Sequence, residues 1–153
     1  MTDFELGYIA GMLDGEGCIS IMRRKQKRSY GRGVYTDYSI HVTVATGTVM
    51  PTLQWIQART GGTIYTQKMR GNRKDGHRLT IYKRDEALKF LRIISPYLLT
   101  KKVQAEVAME FLGLCSSFNP ERRATLHMTM MGLNKRGIVE QNGEAPRQSQ
   151  TLQ

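Results

Sequence analysis

Apolar residues along this 153-residue chain switch between a helical spacing and strict alternation, and the switches mark its elements. Residues 3–15 read as an opening helix with Asp3 as its N-cap, and the chain turns at Gly15 and Gly17. A strand begins at Cys18, placing Ile19 and Ile21 on one face and Ser20, Met22, Arg24, Gln26 and Arg28 on the other. After a turn near Gly31-Arg32-Gly33, residues 35–46 alternate again. Ile40, Val42 and Val44 point one way; Ser39, His41 and Thr43 point the other. Thr48 and Pro51 open a second helix carrying Leu53, Trp55 and Ile56, which ends at Gly61-Gly62. A second hairpin, 63–69 and 77–82, sets Ile64, Leu79 and Ile81 against Tyr65, Gln67, Arg78, Thr80 and Tyr82. Asp85 is placed to cap a third helix with Ala87, Leu88, Leu91 and Ile94 at helical spacing, and Pro96 stops it. Two more helical segments follow, one through Val103–Leu112 and one from Asn119-Pro120 to about Leu133.

The predicted order is helix, hairpin, helix, hairpin, helix, then further helices. That is an α/β (α+β) unit with a helix-β-β pseudo-repeat whose halves share little sequence. Each hairpin has one apolar face, so the four strands are expected as one antiparallel sheet with helices on its apolar side. Residues 1–137 read as a single domain. Residues 138–153 carry almost no apolar positions and read as a mobile polar tail.

Composition adds a partner. Twenty-three Lys and Arg against thirteen Asp and Glu leave a net charge of +10, which points to a polyanion. Much of that charge is in the hairpins: Arg23, Arg24, Lys25, Lys27, Arg28 and Arg32 in the first, and Lys68, Arg70, Arg73, Lys74, Arg78, Lys83 and Arg84 in the second. Only Asp37 and Asp75 offset it there. A basic, twisted β-ribbon suits the DNA major groove. Ser20, Arg24, Gln26, Arg28, Ser39, His41, Thr43, Gln67, Arg78 and Thr80 face outward, and the basic tips (Arg32, Arg70, Arg73, Lys74) suit phosphates. Aromatic platforms are sparse on that face, with Tyr65 and Tyr82 the main candidates, so double-stranded DNA fits better than single strands or looped RNA. No apolar run approaches membrane-spanning length and no signal-peptide pattern opens the chain, so an intracellular protein without a membrane partner is expected. Cys18 and Cys115 are expected as buried reduced thiols, and His41, His77 and His127 have no zinc spacing.

The opening helix carries the remaining chemistry. Gly7, Gly11 and Gly15 fall on one face, and each costs a helix about 1 kcal/mol relative to alanine. A close partner backbone would offset that cost. The helix ends in Asp14-Gly15-Glu16-Gly17, where its dipole disfavours negative charge, so a compensating cation is expected nearby.

Ile9-Ala10-Gly11-Met12-Leu13-Asp14-Gly15-Glu16-Gly17 resembles the motif that names the LAGLIDADG homing endonucleases. Ala10, Gly11, Asp14 and Gly17 match its letters, Ile9, Met12 and Leu13 keep it apolar, and Glu16 stands for its second aspartate. The element order also resembles the family's αββαββα fold, over about residues 4–112. The resemblance implies a site-specific double-strand DNA endonuclease with a long pseudo-palindromic target. A single motif implies a homodimer, with a seam at Gly7, Ala10, Gly11, Asp14 and Gly15. Two copies of Glu16 would then meet beside a phosphodiester, and a divalent metal, Mg²⁺ with Mn²⁺ or Ca²⁺ as substitutes, would relieve the repulsion. Glu16 is the expected catalytic residue and metal ligand, with Gly15 beside it; Asp14 is expected to be structural. Pro96-Tyr97-Leu98-Leu99-Thr100-Lys101 resembles the segment that bears the family's active-site lysine, which implies Lys101, with Lys102 as its neighbour. Thr46 stands where relatives often have glutamine or asparagine at the end of the second strand, a shorter side chain for ordering solvent. Two alternatives share the scaffold: a DNA-binding regulator that has lost cleavage, and a maturase acting on intron RNA.

Overall fold

The structure is a computed structural model that describes residues 1–27, 33–47, 50–68, 71, 75–114 and 119–135, the side chains of 45–47 excepted. Its elements run α1 (Asp3–Glu16), β1 (Cys18–Lys27), β2 (Val34–Gly47), α2 (Met50–Thr60), β3 (Thr63–Gln67), β4 (Gly76–Ile81), α3 (Arg84–Ile94), α4 (Lys102–Gly113) and α5 (Pro120–Leu133). A 3₁₀ turn, Ser95–Tyr97, separates α3 from α4.

The strands form one antiparallel sheet in the order β1-β2-β4-β3. Alternation decides its two faces. Ile19, Ile21, Ile40, Val42, Val44, Leu79 and Ile81 are all buried on the core side. Each is worth about 1.5–3 kcal/mol when fully buried. Leu6, Ile9, Ala10 and Leu13 of α1, Leu53 and Ile56 of α2, and Phe90, Leu91 and Ile94 of α3 join the same core. A one-residue slip in register would turn these strands inside out, so the buried face fixes the pairing. The β2–β4 register shifts between Thr43 and Ala45, a bulge that increases local twist beside Thr46. Gly61 and Gly62, at φ 75° and 89°, turn the chain from α2 into β3 in a backbone region that favours glycine.

Several local expectations change. The N-cap of α1 is Thr2, whose hydroxyl accepts from the Glu5 N–H at 3.3 Å while the Glu5 carboxylate accepts from the Thr2 N–H at 2.9 Å. This is a capping box, and it moves the cap one residue ahead of Asp3. Asp85 lies within the first turn of α3, and Lys83 holds the N-cap position without a side-chain cap. α3 does end at Ile94, just ahead of Pro96 as expected, and Pro96 then sits in the first positions of the 3₁₀ turn, where its missing N–H costs nothing. Cys18 is exposed rather than buried, because it shares the polar phase of β1 with Ser20 and Met22. Cys115 and the tail 138–153 lie outside the described residues.

α5 adds Leu126 and Met130 to the core and also reaches the sheet through polar groups. Arg123 and His127 are 6% and 9% exposed. Arg123 Nη2 donates to the Tyr38 carbonyl at 2.9 Å, and the guanidinium lies 4.4 Å from the Phe111 ring centroid. His127 Nδ1 is 2.8 Å from the Ile21 carbonyl, and Asn134 Nδ2 donates to the Ile19 carbonyl at 2.8 Å. Ile19 and Ile21 lie on β1, an edge strand, so His127 and Asn134 satisfy carbonyls that no neighbouring strand reaches, while Tyr38 lies on β2 ahead of the stretch that pairs with β4. Among the described residues, no helix is long and apolar enough to cross a membrane.

Candidate functional site

The polar side of the sheet is concave and encloses a groove of about 700 Å³. Its lining is Ser20, Met22, Arg24, Ser39, His41, Thr43, Tyr65, Arg78, Thr80 and Tyr82. Every one except Met22 is a residue that alternation assigns to DNA contact. Met22 shares their phase in β1 and was missed because its side chain is apolar. Arg78 lies 5.8 Å from the Tyr65 ring centroid, which holds the guanidinium against an aromatic face. Thr80 sits at the floor, 6% exposed. Ser39 Oγ is buried with no hydrogen-bond partner among the described residues, so it is available to a group that enters the groove. Burial lowers the pKa of His41, and Arg24 and Arg78 lower it further, so the imidazole is neutral near pH 7 and can accept as well as donate.

Gln26 is exposed, and its amide oxygen accepts from the Tyr35 hydroxyl at 2.8 Å. Gln67 is exposed at the end of β3. Two of the charges counted with the hairpins are committed elsewhere: Lys83 pairs with Glu86 at 2.8 Å, and Arg84 opens α3 and donates to the Leu114 carbonyl at 3.1 Å. Arg28, Arg32, Arg70, Arg73 and Lys74 lie outside the described residues, as does the side chain of Thr46. The Thr46 backbone pairs with Arg78 across the β2–β4 ladder.

The other half of the site is built around the C-terminus of α1. The Asp14 carboxylate accepts from three successive backbone N–H groups: Leu99 at 2.8 Å, Thr100 at 3.3 Å and Lys101 at 2.9 Å. These N–H groups lead into α4, so a carboxylate there also meets the favourable end of that helix's dipole. Burial pushes the Asp14 pKa up, but the hydrogen bonds from Leu99, Lys101 and Thr100 outweigh it and hold the carboxyl below its usual range. Asp14 is therefore a clamp on the 99–101 turn.

The turn it holds delivers a cation. Lys101 Nζ donates to the Asp14 carbonyl. That places an ammonium against the negative end of the α1 dipole, in the place where charge compensation is required and where α1's own last turn has no basic residue. Lys102 is the first residue of α4, with no such bond to α1 among the described residues. Glu16 is exposed at the end of α1 and makes no hydrogen bond or ion pair among the described residues. Only three residues separate it from Ser20 in the groove lining.

Among the described residues, no three His, Cys, Asp or Glu side chains stand together as a metal cluster. One protomer offers the Glu16 carboxylate and the nearby Gly15 carbonyl. This is an all-oxygen donor set of the kind Mg²⁺ accepts, because Mg²⁺ keeps several waters and completes its shell with one or two carboxylates and substrate phosphates. The fit therefore needs the phosphate oxygens of DNA to complete the shell.

The outer face of α1 carries Gly7, Gly11 and Gly15, and a Cβ built on any of them would meet nothing within 4 Å. Ala10 differs: it is 1% exposed and belongs to the protomer's own core, so it is not on that face. Asp14 is engaged by the 99–101 turn rather than lying free on it. Gly17 has a separate reason to be glycine. Its Cβ would lie 2.6 Å from the Leu13 carbonyl oxygen and 2.7 Å from the Leu13 Cα.

Known proteins share this fold. The model of the LAGLIDADG endonuclease family matches residues 9–109. No curated protein matches the chain by sequence. Among solved structures, the chain is similar to the homing endonuclease I-CvuI in complex with its target, with a TM-score of 0.67 and 21% identity over 88% of this chain and 83% of that one. The archaeal intron-encoded homing endonuclease I-Vdi141I, complexed with DNA, gives a TM-score of 0.68 and 21% identity over 88% and 87%. The group I intron-encoded I-CeuI, also complexed with DNA, gives 0.62 and 18% over 92% and 70%. At these identities the structures establish a shared fold. The family match spans well over half of the 153 residues and includes the whole motif from Ile9 to Gly17, so the chain belongs to the LAGLIDADG endonuclease family.

Proposed function

We propose that the chain acts as a two-fold homodimer that cuts both strands of a long, two-fold related DNA target with the help of a divalent ion, Mg²⁺ in the first instance. The observation that carries this reading is the pairing of a basic, polar groove with an exposed carboxylate and a fixed lysine at the end of one helix. The solved relatives support the ligand, since I-CvuI, I-Vdi141I and I-CeuI were each solved with DNA, and I-CvuI in the presence of Ca or Mg.

The roles follow from position. Arg24 and Arg78 read base edges in the major groove, where a bidentate guanidinium recognises guanine. Ser20, Ser39, His41, Thr43 and Thr80 supply short donors and acceptors along the groove floor. Glu16 and the Gly15 carbonyl hold the ion next to the scissile phosphate. When bound, the ion supplies Lewis-acid activation of water and neutralises phosphate charge. Lys101 stands at the end of α1, where its ammonium stabilises the negative charge that develops at phosphorus. Asp14 keeps Lys101 in place without touching the substrate. The backbone at Thr46, beside the β2 bulge, is the expected place for ordered solvent.

A regulator that only binds DNA would have no use for an exposed Glu16 and a fixed ammonium at the end of one helix, and a maturase would favour stacking platforms that the groove largely lacks. The direct test is a cleavage assay on linear duplex carrying the sequence that flanks the coding region when its intron or intein is removed. Double-strand cuts at one position, in Mg²⁺ and not in chelator, are expected. Binding without cutting in any divalent ion would favour the regulator. Affinity should fall by roughly 10³-fold or more between 50 and 200 mM salt if six or more phosphates are contacted. A nearly flat response would rule out the groove as a DNA surface.

A further inference from the structure

Phe4 is 83% exposed, the most exposed aromatic residue among those described. It lies three, seven and eleven residues before Gly7, Gly11 and Gly15, so it continues the same stripe of α1. The stripe is therefore graded: glycine along its length and one large ring at its N-terminal end. Beside that ring is an apolar groove of about 420 Å³ lined by Phe4, Tyr8, Pro51, Thr52 and Trp55.

The groove is rigidly built. Tyr8 and Trp55 meet edge to face at 5.8 Å. Arg59 stacks on the Trp55 ring at 4.1 Å and is itself held by Glu5 at 2.9 Å. Glu5 is the residue that closes the capping box of α1. One network thus fixes the α1 N-terminus, α2 and the groove wall together. None of it faces the sheet's DNA groove or contributes to the chemistry at Glu16.

We infer that this groove receives Phe4 from a second copy of the chain, forming an aromatic anchor at the N-terminal end of the dimer seam. The inference rests on the dimer proposed above and extends its contact. Two helices that cross on glycine can approach closely at Gly11 and Gly15, and then diverge toward their N-termini. A diverging gap between them would expose apolar surface to water unless a large side chain filled it. Phe4 is at that end, on that face, with nothing of its own fold covering it. Because a two-fold contact is self-complementary, each copy supplies both the ring and the groove, and the contact occurs twice. Trp and Tyr in a preformed pocket are among the residue types that concentrate binding energy.

The test uses Phe4→Ala and the single tryptophan of the chain, Trp55, without DNA. In the wild type, sedimentation should show a dimer, and acrylamide should quench Trp55 poorly at concentrations above the dissociation constant and well below it. Phe4→Ala should raise the dimer dissociation constant at least tenfold and leave Trp55 readily quenched at every concentration. Phe4→Leu should recover part of both effects. A protein in which Phe4 is exposed should fold unchanged without its ring, and far-UV circular dichroism checks this. A monomeric wild type at micromolar concentration would overturn the dimer reading and this inference with it. A stable wild-type dimer whose affinity and Trp55 quenching are both unaffected by Phe4→Ala would overturn the anchor alone.

Discussion

Replacing Gly7 and Gly11 together by alanine should move two properties in opposite directions. Each glycine costs the interior of a helix about 1 kcal/mol relative to alanine, so the pair costs about 2 kcal/mol. A Cβ at either site meets nothing within 4 Å in the protomer, so no clash offsets the gain. The isolated chain should therefore become more stable by about 2 kcal/mol, raising its melting temperature by roughly 4–8 °C for a domain of this size. Dimerisation should weaken, because two methyl groups per copy now separate backbones that glycine lets approach. Dimerisation also adds concentration-dependent stability, so the two effects must be measured apart. Urea unfolding at submicromolar protein reads the protomer, and sedimentation at micromolar protein reads the dimer. A higher urea midpoint with at least a tenfold weaker dimer is expected. A lower midpoint would refute the open-space argument, and a higher midpoint with an unchanged dimer would refute the glycine seam.

Gly17→Ala should behave in the opposite way, destabilising the protomer by about 1–3 kcal/mol, since overpacking against the Leu13 backbone leaves only main-chain movement as relief; an unchanged urea midpoint would contradict this. Asp14→Asn removes the charge from three hydrogen bonds and turns an N–H₂ toward backbone donors, so it should cost about 1–3 kcal/mol and slow cleavage by releasing Lys101. The folded pKa of Asp14 is depressed, so its contribution is complete above the ordinary carboxylate pKa and is lost as pH falls through the folded value. The stability gap between wild type and Asp14→Asn should accordingly close in acid; a gap that persists below pH 2 would mean that charge is not its source. Arg78→Ala should cost about 1–3 kcal/mol of discrimination at one base pair of the target with milder loss elsewhere; a uniform loss across target positions in a competition assay would reassign Arg78 to phosphate contact.

Much of this was legible because burial on one face writes itself into the alternation of Ile19, Ile21, Ile40, Val42, Leu79 and Ile81. That same alternation selected nearly all of the groove lining. It does not say which strands are neighbours, so the order β1-β2-β4-β3 emerged only with the structure. The capping box is present in the sequence as Thr2-x-x-Glu5, but Asp3 is also an N-cap residue type, and the reciprocal bonds that decide between them are seen only in the fold. The dipole argument called for a cation at the end of α1 but could not by itself name a residue more than eighty positions away; Lys101 came from the family's pattern, and Asp14's grip on the 99–101 turn explains how it gets there. Arg123, His127 and Asn134 left no signal, since nothing local marks a polar side chain whose partner is a carbonyl on a distant strand. Ala10 misled for a related reason: it has a seam residue's size but lies on the core side of the helix.

The account depends most on Glu16, the carboxylate that α1 carries to its exposed end. The measurement that tests it is parallel binding and cleavage of target duplex by Glu16→Gln in Mg²⁺, at enzyme concentrations that saturate the DNA. Binding within about threefold of wild type, with cleavage reduced by roughly 10³-fold or more, is the expected result, because the amide keeps the shape of the side chain but loses the charge that holds the ion. Cleavage by Glu16→Gln at a rate close to wild type would contradict it.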